Sequence, residues 1–155
     1  MAIQRSVLMV ELLMSADRVI IAAQSTTPRL LSDGWPPATV VGHLSQVDTE
    51  VWLPRIDQMV IGQQAGVPPT FAWWEPEAQQ TLTRFAGMSP DETGAQLLAS
   101  RTAMLHRLRE LADEDWDACA EHEAFGSLDI EGLMLQVLSH DEEHRASILL
   151  GQPEV

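Results

Sequence analysis

Four stretches of this chain place apolar residues at the three-and-four spacing of a helix buried along one side, with proline or glycine in the gaps between them. The first runs from about Gln4 to Gln24 and ends at the break STTPRLLSDGWPP. Pro36 and Pro37 suit the first turn of the second helix, where a missing amide costs nothing. That helix carries ATVVGHLSQVDTEVW and continues toward Val60, with Pro54 as a potential kink because it lacks the donor a helix interior needs. After the irregular stretch GQQAGVPPTFAWWEPEAQQ, Ser89 and Pro90 form an N-cap and first-turn pair for a third helix, through TGAQLLASRTAMLHRLRELA. The link DEDWDACAEHEAFGS leads to a fourth, LDIEGLMLQVLSHDEEHRASILL, which Gly151 and Pro153 would stop. No strand alternation, repeat or low-complexity run stands out. Helices of this length with unequal links predict an all-α four-helix bundle, residues 1–155 forming one domain.

Charge narrows the function classes. Asp and Glu number 23 against nine basic residues, a formal charge of −14 that repels phosphate backbones and anionic lipid surfaces, so neither nucleic acid nor a membrane is an expected partner. Every basic residue is arginine, which rules out a P-loop lysine and a Schiff-base lysine. Cys119 is the only cysteine, so no internal disulfide can form. Its acidic setting, DWDACAEHE, disfavours a thiolate. The N-terminal segment is interrupted by Arg5, Glu11, Asp17 and Arg18, unlike a signal peptide or a membrane span, and a cytoplasmic location is expected.

The chemistry-bearing residues are histidines: 43, 106, 122, 140 and 144. His140 and His144, four apart in LSHDEEHRAS, lie one above the other on a helix face and could share an ion. On spacing alone, such a pair is more often two polar residues on a solvated face. Position adds a constraint. His43 stands six residues after Pro37 and His144 six before Leu150. If helices two and four run antiparallel, a rise of 1.5 Å per residue puts both roughly 9 Å from the same end of the bundle. Val40, Val41, Leu44 and Val47 around His43 turn it toward the interior.

DGWPPATVVGHLSQVDTEVWLPRI and ELADEDWDACAEHEAFGSLDIEGLMLQVLSHDEEHRASI resemble corresponding segments of the DinB/YfiT-like superfamily, and the likeness extends over nearly the whole chain. The resemblance implies a four-helix bundle with a long crossover between helices two and three, which the irregular stretch before Ser89 matches, and it makes helices two and four antiparallel. It also implies a divalent metal, zinc or nickel first among candidates, held by His43, His140 and His144. His122 matches a position with a capping or loop-tethering role, whereas His106 reads as a solvated residue. Asp141, Glu142 and Glu143 read mainly as surface acids, one of which could orient a ligand imidazole. Trp35, Trp52, Trp73, Trp74 and Trp116 read as core or crossover packing rather than a stacking platform.

Three imidazoles leave coordination positions open to water or substrate, the pattern of a catalytic site. The expected function is therefore a metal-dependent enzyme acting on a small molecule. By resemblance it is a hydrolase or a thiol S-transferase using a low-molecular-weight thiol such as bacillithiol or mycothiol. The alternative is a non-catalytic bundle that binds a small molecule or serves a stress response. Homodimers are implied by the same resemblance.

Overall fold

A computed structural model describes residues 2–26 and 34–150. Helix α1 spans Ala2–Ser25, α2 Pro37–Val47, α3 Leu53–Ala65, α4 Ala78–Arg84, α5 Pro90–Glu110 and α6 Ile130–Leu150. Helices α2 and α3 are one continuous rod joined by a π-helical turn, Asp48–Trp52. This long rod, α1, α5 and α6 make the four-helix bundle, in which α2 packs against α5, and α1 against both α5 and α6. The sequence-derived starts hold well. Pro37 opens α2, and Ser89 caps α5, its Oγ accepting from the Glu92 amide at 3.1 Å. Pro54 does not break the rod: with no amide of its own to donate, the preceding turn widens and the Leu53 amide reaches back five residues to the Asp48 carbonyl. The helix ends at Ala65, beyond Val60, where Gly66 takes the left-handed conformation (φ 72°) that favours glycine. The proposed stop at Gly151 and Pro153, and residues 27–33 of the first break, lie outside the described residues.

The expectation of no strands is corrected. Strands β1 (Thr70–Phe71), β2 (Cys119–His122) and β3 (Gly126–Asp129) form a small sheet in the order β1-β2-β3. Strands β2 and β3 are an antiparallel hairpin pairing His122 with Gly126, and β1 lies parallel to β2 with Phe71 opposite His122. Strands of two and four residues are too short to show alternation in a sequence. Their role is positional. The crossover from α3 to α5, with β1 and α4 inside it, is stitched to the hairpin that precedes α6. Amides of Glu121 and Glu123 donate to the Pro69 and Phe71 carbonyls at 3.0 Å, and the Trp73 amide to Glu123 Oε1 at 2.6 Å.

Two apolar clusters fill the bundle, one containing Leu12, Ile56, Met59, Met104, Leu108 and Met134, the other Ala16, Val19, Trp35, Leu44, Leu97 and Ile148. Arg101, wholly buried, contributes a charged layer to the same interior. All five of its N–H groups are used. Nε and Nη2 donate to Asp48 at 3.0 and 3.2 Å, Nη1 and Nη2 to Asp141 at 2.8 and 3.1 Å, and Nη1 also to the Leu12 carbonyl at 2.8 Å. Ser100 and Ser15 hydroxyls donate to the same two carboxylates. Two carboxylates against one guanidinium leave an excess negative charge, and burial pushes the Asp48 carboxyl up to about 6 even beside Arg101. Asp141 is thus not the surface acid its sequence neighbours suggested; it is 1% exposed and ties α6 to α5 and α1.

Removing one partner from such a layer strands the others without water. Arg101→Met should cost about 3–5 kcal/mol in urea unfolding, because two buried carboxylates lose their counter-charge. A loss under about 1 kcal/mol would mean the layer is hydrated or dispensable.

Candidate metal centre

Helix α2 delivers His43 and α6 delivers His140 and His144. The pair on α6 follows from helical pitch. The arrival of His43 beside them follows from how the rod lies in the bundle. A Cβ at Gly42 would come within 2.5 Å of the Phe85 ring, so the glycine lets Phe85, buried just after α4, press against α2 one residue from His43. Ring centroids stand 4.9 Å apart for His43 and His144, 5.5 Å for His43 and His140, and 4.5 Å for His140 and His144. The two α6 rings meet Nε2 to Nε2 at 3.0 Å. One nitrogen from each of the three rings lies within 4.8 Å of the others.

These distances suit an ion. Around a tetrahedral centre with nitrogens at 2.0–2.1 Å, donor atoms sit about 3.3 Å apart, so the α6 pair at 3.0 Å is close to that spacing and His43 has at most roughly 1.5 Å to close. Protonation state suits it as well. Burial, and then the nearness of His144 and His140, lower His43 from 6.5 to about 2, which keeps the ring neutral and able to ligate. Its Nδ1 is buried and meets no partner at full hydrogen-bond geometry, with Gln46 near enough only to oppose the shift in its pKa, which suits a ring free to turn toward a ligand.

The cluster borders a cavity of about 340 Å³. Trp35 packs against His43 at 4.9 Å and Trp74 stacks on it at 6.4 Å, while Trp52 meets His140 edge-on at 6.1 Å. Of the five tryptophans, Trp116 belongs wholly to the core, but Trp35, Trp52, Trp73 and Trp74 line the cavity, so the crossover aromatics do more than pack. His122 also faces the cavity. Its Nδ1 accepts from the Ala124 amide at 3.0 Å within the hairpin turn, in keeping with the loop-tethering expectation, and its ring packs against Phe125. His106 is exposed, as expected. Glu142 and Glu143 are exposed acids, and Glu143 reaches the cavity rim.

Arg55 and Glu75 were not singled out by sequence reasoning, yet both line the cavity. A single arginine one residue after Pro54 carries no spacing signal. Only the fold of the crossover over α3 brings it to the pocket.

A family model for the DinB superfamily matches residues 22–148. The chain belongs to the DinB superfamily. No curated protein matches it. Among solved structures, this DinB chain is similar to YfiT from Bacillus subtilis, described as "a probable metal-dependent hydrolase with an unusual four-helix bundle topology". The TM-score is 0.68 at 16% identity, covering 96% of this chain and 89% of that one. The likeness is one of fold, and the expected four-helix bundle with its long crossover is thereby borne out.

The neutral state of His43 has a cost in acid. The unfolded chain takes up a proton there near pH 6.5, whereas the folded chain does so only near pH 2. Stability contributed by the neutral ring is complete above 6.5 and is lost as pH falls, by up to about 1.4 kcal/mol per pH unit. For metal-free protein, the raised Asp48 carboxyl acts in the opposite direction below about pH 6, so the test is the difference between two proteins: from about pH 7 to pH 5 the parent should lose stability relative to His43→Gln, by up to about 1.4 kcal/mol per pH unit in urea unfolding. Parallel slopes would show that residue 43 titrates normally when folded.

Proposed function

We propose that this DinB-superfamily chain is a metal-dependent enzyme that binds one divalent ion, zinc or nickel, through His43, His140 and His144. Its reaction is a hydrolysis or a thiol S-transfer on a small molecule held in the adjoining cavity. The observation that carries the reading is the meeting of three ring nitrogens within 4.8 Å of one another at the wall of a 340 Å³ cavity. The description of YfiT as a probable metal-dependent hydrolase supports the hydrolytic form.

A divalent ion in this place would supply Lewis acidity and would favour the deprotonated form of a water or a low-molecular-weight thiol at neutral pH. The chain's own residues do the rest. Buried His43 stays neutral, and helical pitch puts the α6 pair on one face, where the two Nε2 atoms share a 3.0 Å hydrogen bond that an ion would replace. Trp35, Trp52 and Trp74 wall the cluster with apolar surface, which excludes water and strengthens polar contacts made there. Glu143 places a carboxylate at the cavity, available to accept a proton from a nucleophile.

Other aspects of the reading are simpler. Among the described residues no helix is long and apolar enough to cross a membrane. The acidic charge supports a small-molecule partner over nucleic acid. Val7, Val10, Met14 and Ile21, exposed along α1, support pairing of two chains as a homodimer.

Metal analysis of protein purified without a nickel column should find about one ion per chain, and His140→Ala should lose most of it. Equal metal content in the two proteins would remove the basis for the proposal.

A further inference from the structure

The cavity has a second polar end. Arg55, three residues beyond Trp52 on the same rod, lines it and lies 4.7 Å over the Phe71 ring and 6.0 Å from the ring of Trp52, whose other neighbour at 6.1 Å is His140. Among the described residues its guanidinium donates one hydrogen bond, from Nη2 to the Ala72 carbonyl at 2.7 Å, and pairs with no carboxylate. Arg5, Arg84, Arg107 and Arg145 each have a carboxylate within 3.0 Å, and exposed Arg109 at the end of α5 has none among the described residues, so what sets Arg55 apart is that it lines the cavity without one. A guanidinium has five N–H donors, so most of those on half-buried Arg55 are open to water or to a ligand in the cavity. His122 stands near. Because its Nδ1 accepts a backbone amide, a neutral ring must carry its proton on Nε2, a donor. Burial, and the charge of Arg55, keep His122 in that neutral form.

We propose that Arg55, assisted by His122, is an anion-binding subsite for the substrate of the metal centre, and that this substrate carries a carboxylate on an apolar or aromatic body. The idea rests on the metal-dependent reading for the identity of the reacting end, but the subsite itself needs no metal. The planar guanidinium fork matches a carboxylate, and the aromatic walls of Trp52, Trp73 and Trp74 suit the body between the two ends. A singly charged group fits better than a phosphate dianion. The subsite offers one full positive charge, and Glu75 and Glu143 line the same cavity. The chain's overall −14 opposes any anion at long range, but at physiological salt that field is screened beyond about 8 Å, so the contacts inside the cavity decide binding.

The test compares 3-phenylpropionate with the uncharged alcohol 3-phenylpropanol by calorimetry on the full chain, both stripped of metal and loaded with zinc. In the stripped protein no ion can hold the carboxylate. There the acid should bind at least about tenfold more tightly than the alcohol. Arg55→Gln should abolish that preference with little change for the alcohol, Arg55→Lys should keep part of it, and His43→Ala should leave it intact. Circular dichroism identifies folded variants, and if Arg55→Gln does not fold, Arg55→Lys carries the comparison, because it keeps the charge and loses the fork. The proposal is overturned if the acid does not bind in the millimolar range, if both probes bind equally, if folded Arg55→Gln keeps the preference, or, where Arg55→Lys carries the comparison, if its preference is undiminished. A preference seen only with zinc and lost in His43→Ala also overturns it, since the carboxylate then sits on the ion. Zinc content is read separately, so a chain that keeps the carboxylate preference yet holds no metal would defeat the enzyme reading and leave the subsite standing.

Discussion

The buried guanidinium of Arg101 is the constraint on which the arrangement of the bundle depends. An apolar interface tolerates small rotations and slides, because dispersion and burial change gradually with them. A desolvated charge with five directed donors does not. Asp48 in the π turn of the long rod, Asp141 on α6 and the Leu12 carbonyl on α1 must all meet the side chain from α5. Each of the four long helices is thereby fixed in rotation and height. Asp141 directly precedes Glu142 and directly follows His140, and its inward turn leaves His140 and His144 facing the cavity one helical step away. On the other side, Asp48 is five residues beyond His43 on the rod. The charged layer therefore orients both segments that carry the histidines.

The cavity arises from the departures from an ideal bundle. Four straight helices would close over their core. Here the segment between α3 and α5 leaves the bundle, pairs as β1 with the hairpin before α6, and places Trp73, Trp74 and Glu75 opposite the histidines. The hairpin brings His122 and Phe125 to the same wall, and the rod contributes Trp52 and Arg55. One side of the pocket is thus regular helix, which holds three imidazoles at fixed spacing. The other is irregular chain, which can differ in length and side chains with little effect on the core. That division separates the positioning of the ligand cluster from the choice of what enters the cavity.

Much of this was legible in the residues. Helix ends marked by Pro37, Ser89 and Pro90 came out within a residue or two, because capping is local chemistry. His140 and His144 were legible as a pair for the same reason. Asp141 was misread, although a sign was present. Buried positions on α6 run Ile130, Leu133, Met134, Val137, Asp141, His144 and Ile148, so the aspartate occupies a place in the apolar stripe, as Arg101 does between Leu97 and Met104 on α5. A charged residue on such a stripe signals a buried partner elsewhere. The strands left no comparable sign, since two-residue pairing depends on where the crossover lands.

By itself the sequence determined what short-range rules govern: helical periodicity, the caps and proline starts, the i,i+4 histidine pair, and an acidic, lysine-free composition unsuited to phosphate backbones. Tertiary structure decided what depends on long-range meeting. It brought His43 to the α6 pair, turned Asp141 and Asp48 onto Arg101, and folded the crossover so that Arg55 and the tryptophans face one cavity. The physical reason is the range of the forces. Backbone hydrogen bonding and side-chain spacing act over a few residues, whereas burial and buried charge select among packings of whole helices, and only those packings set which distant side chains share a site.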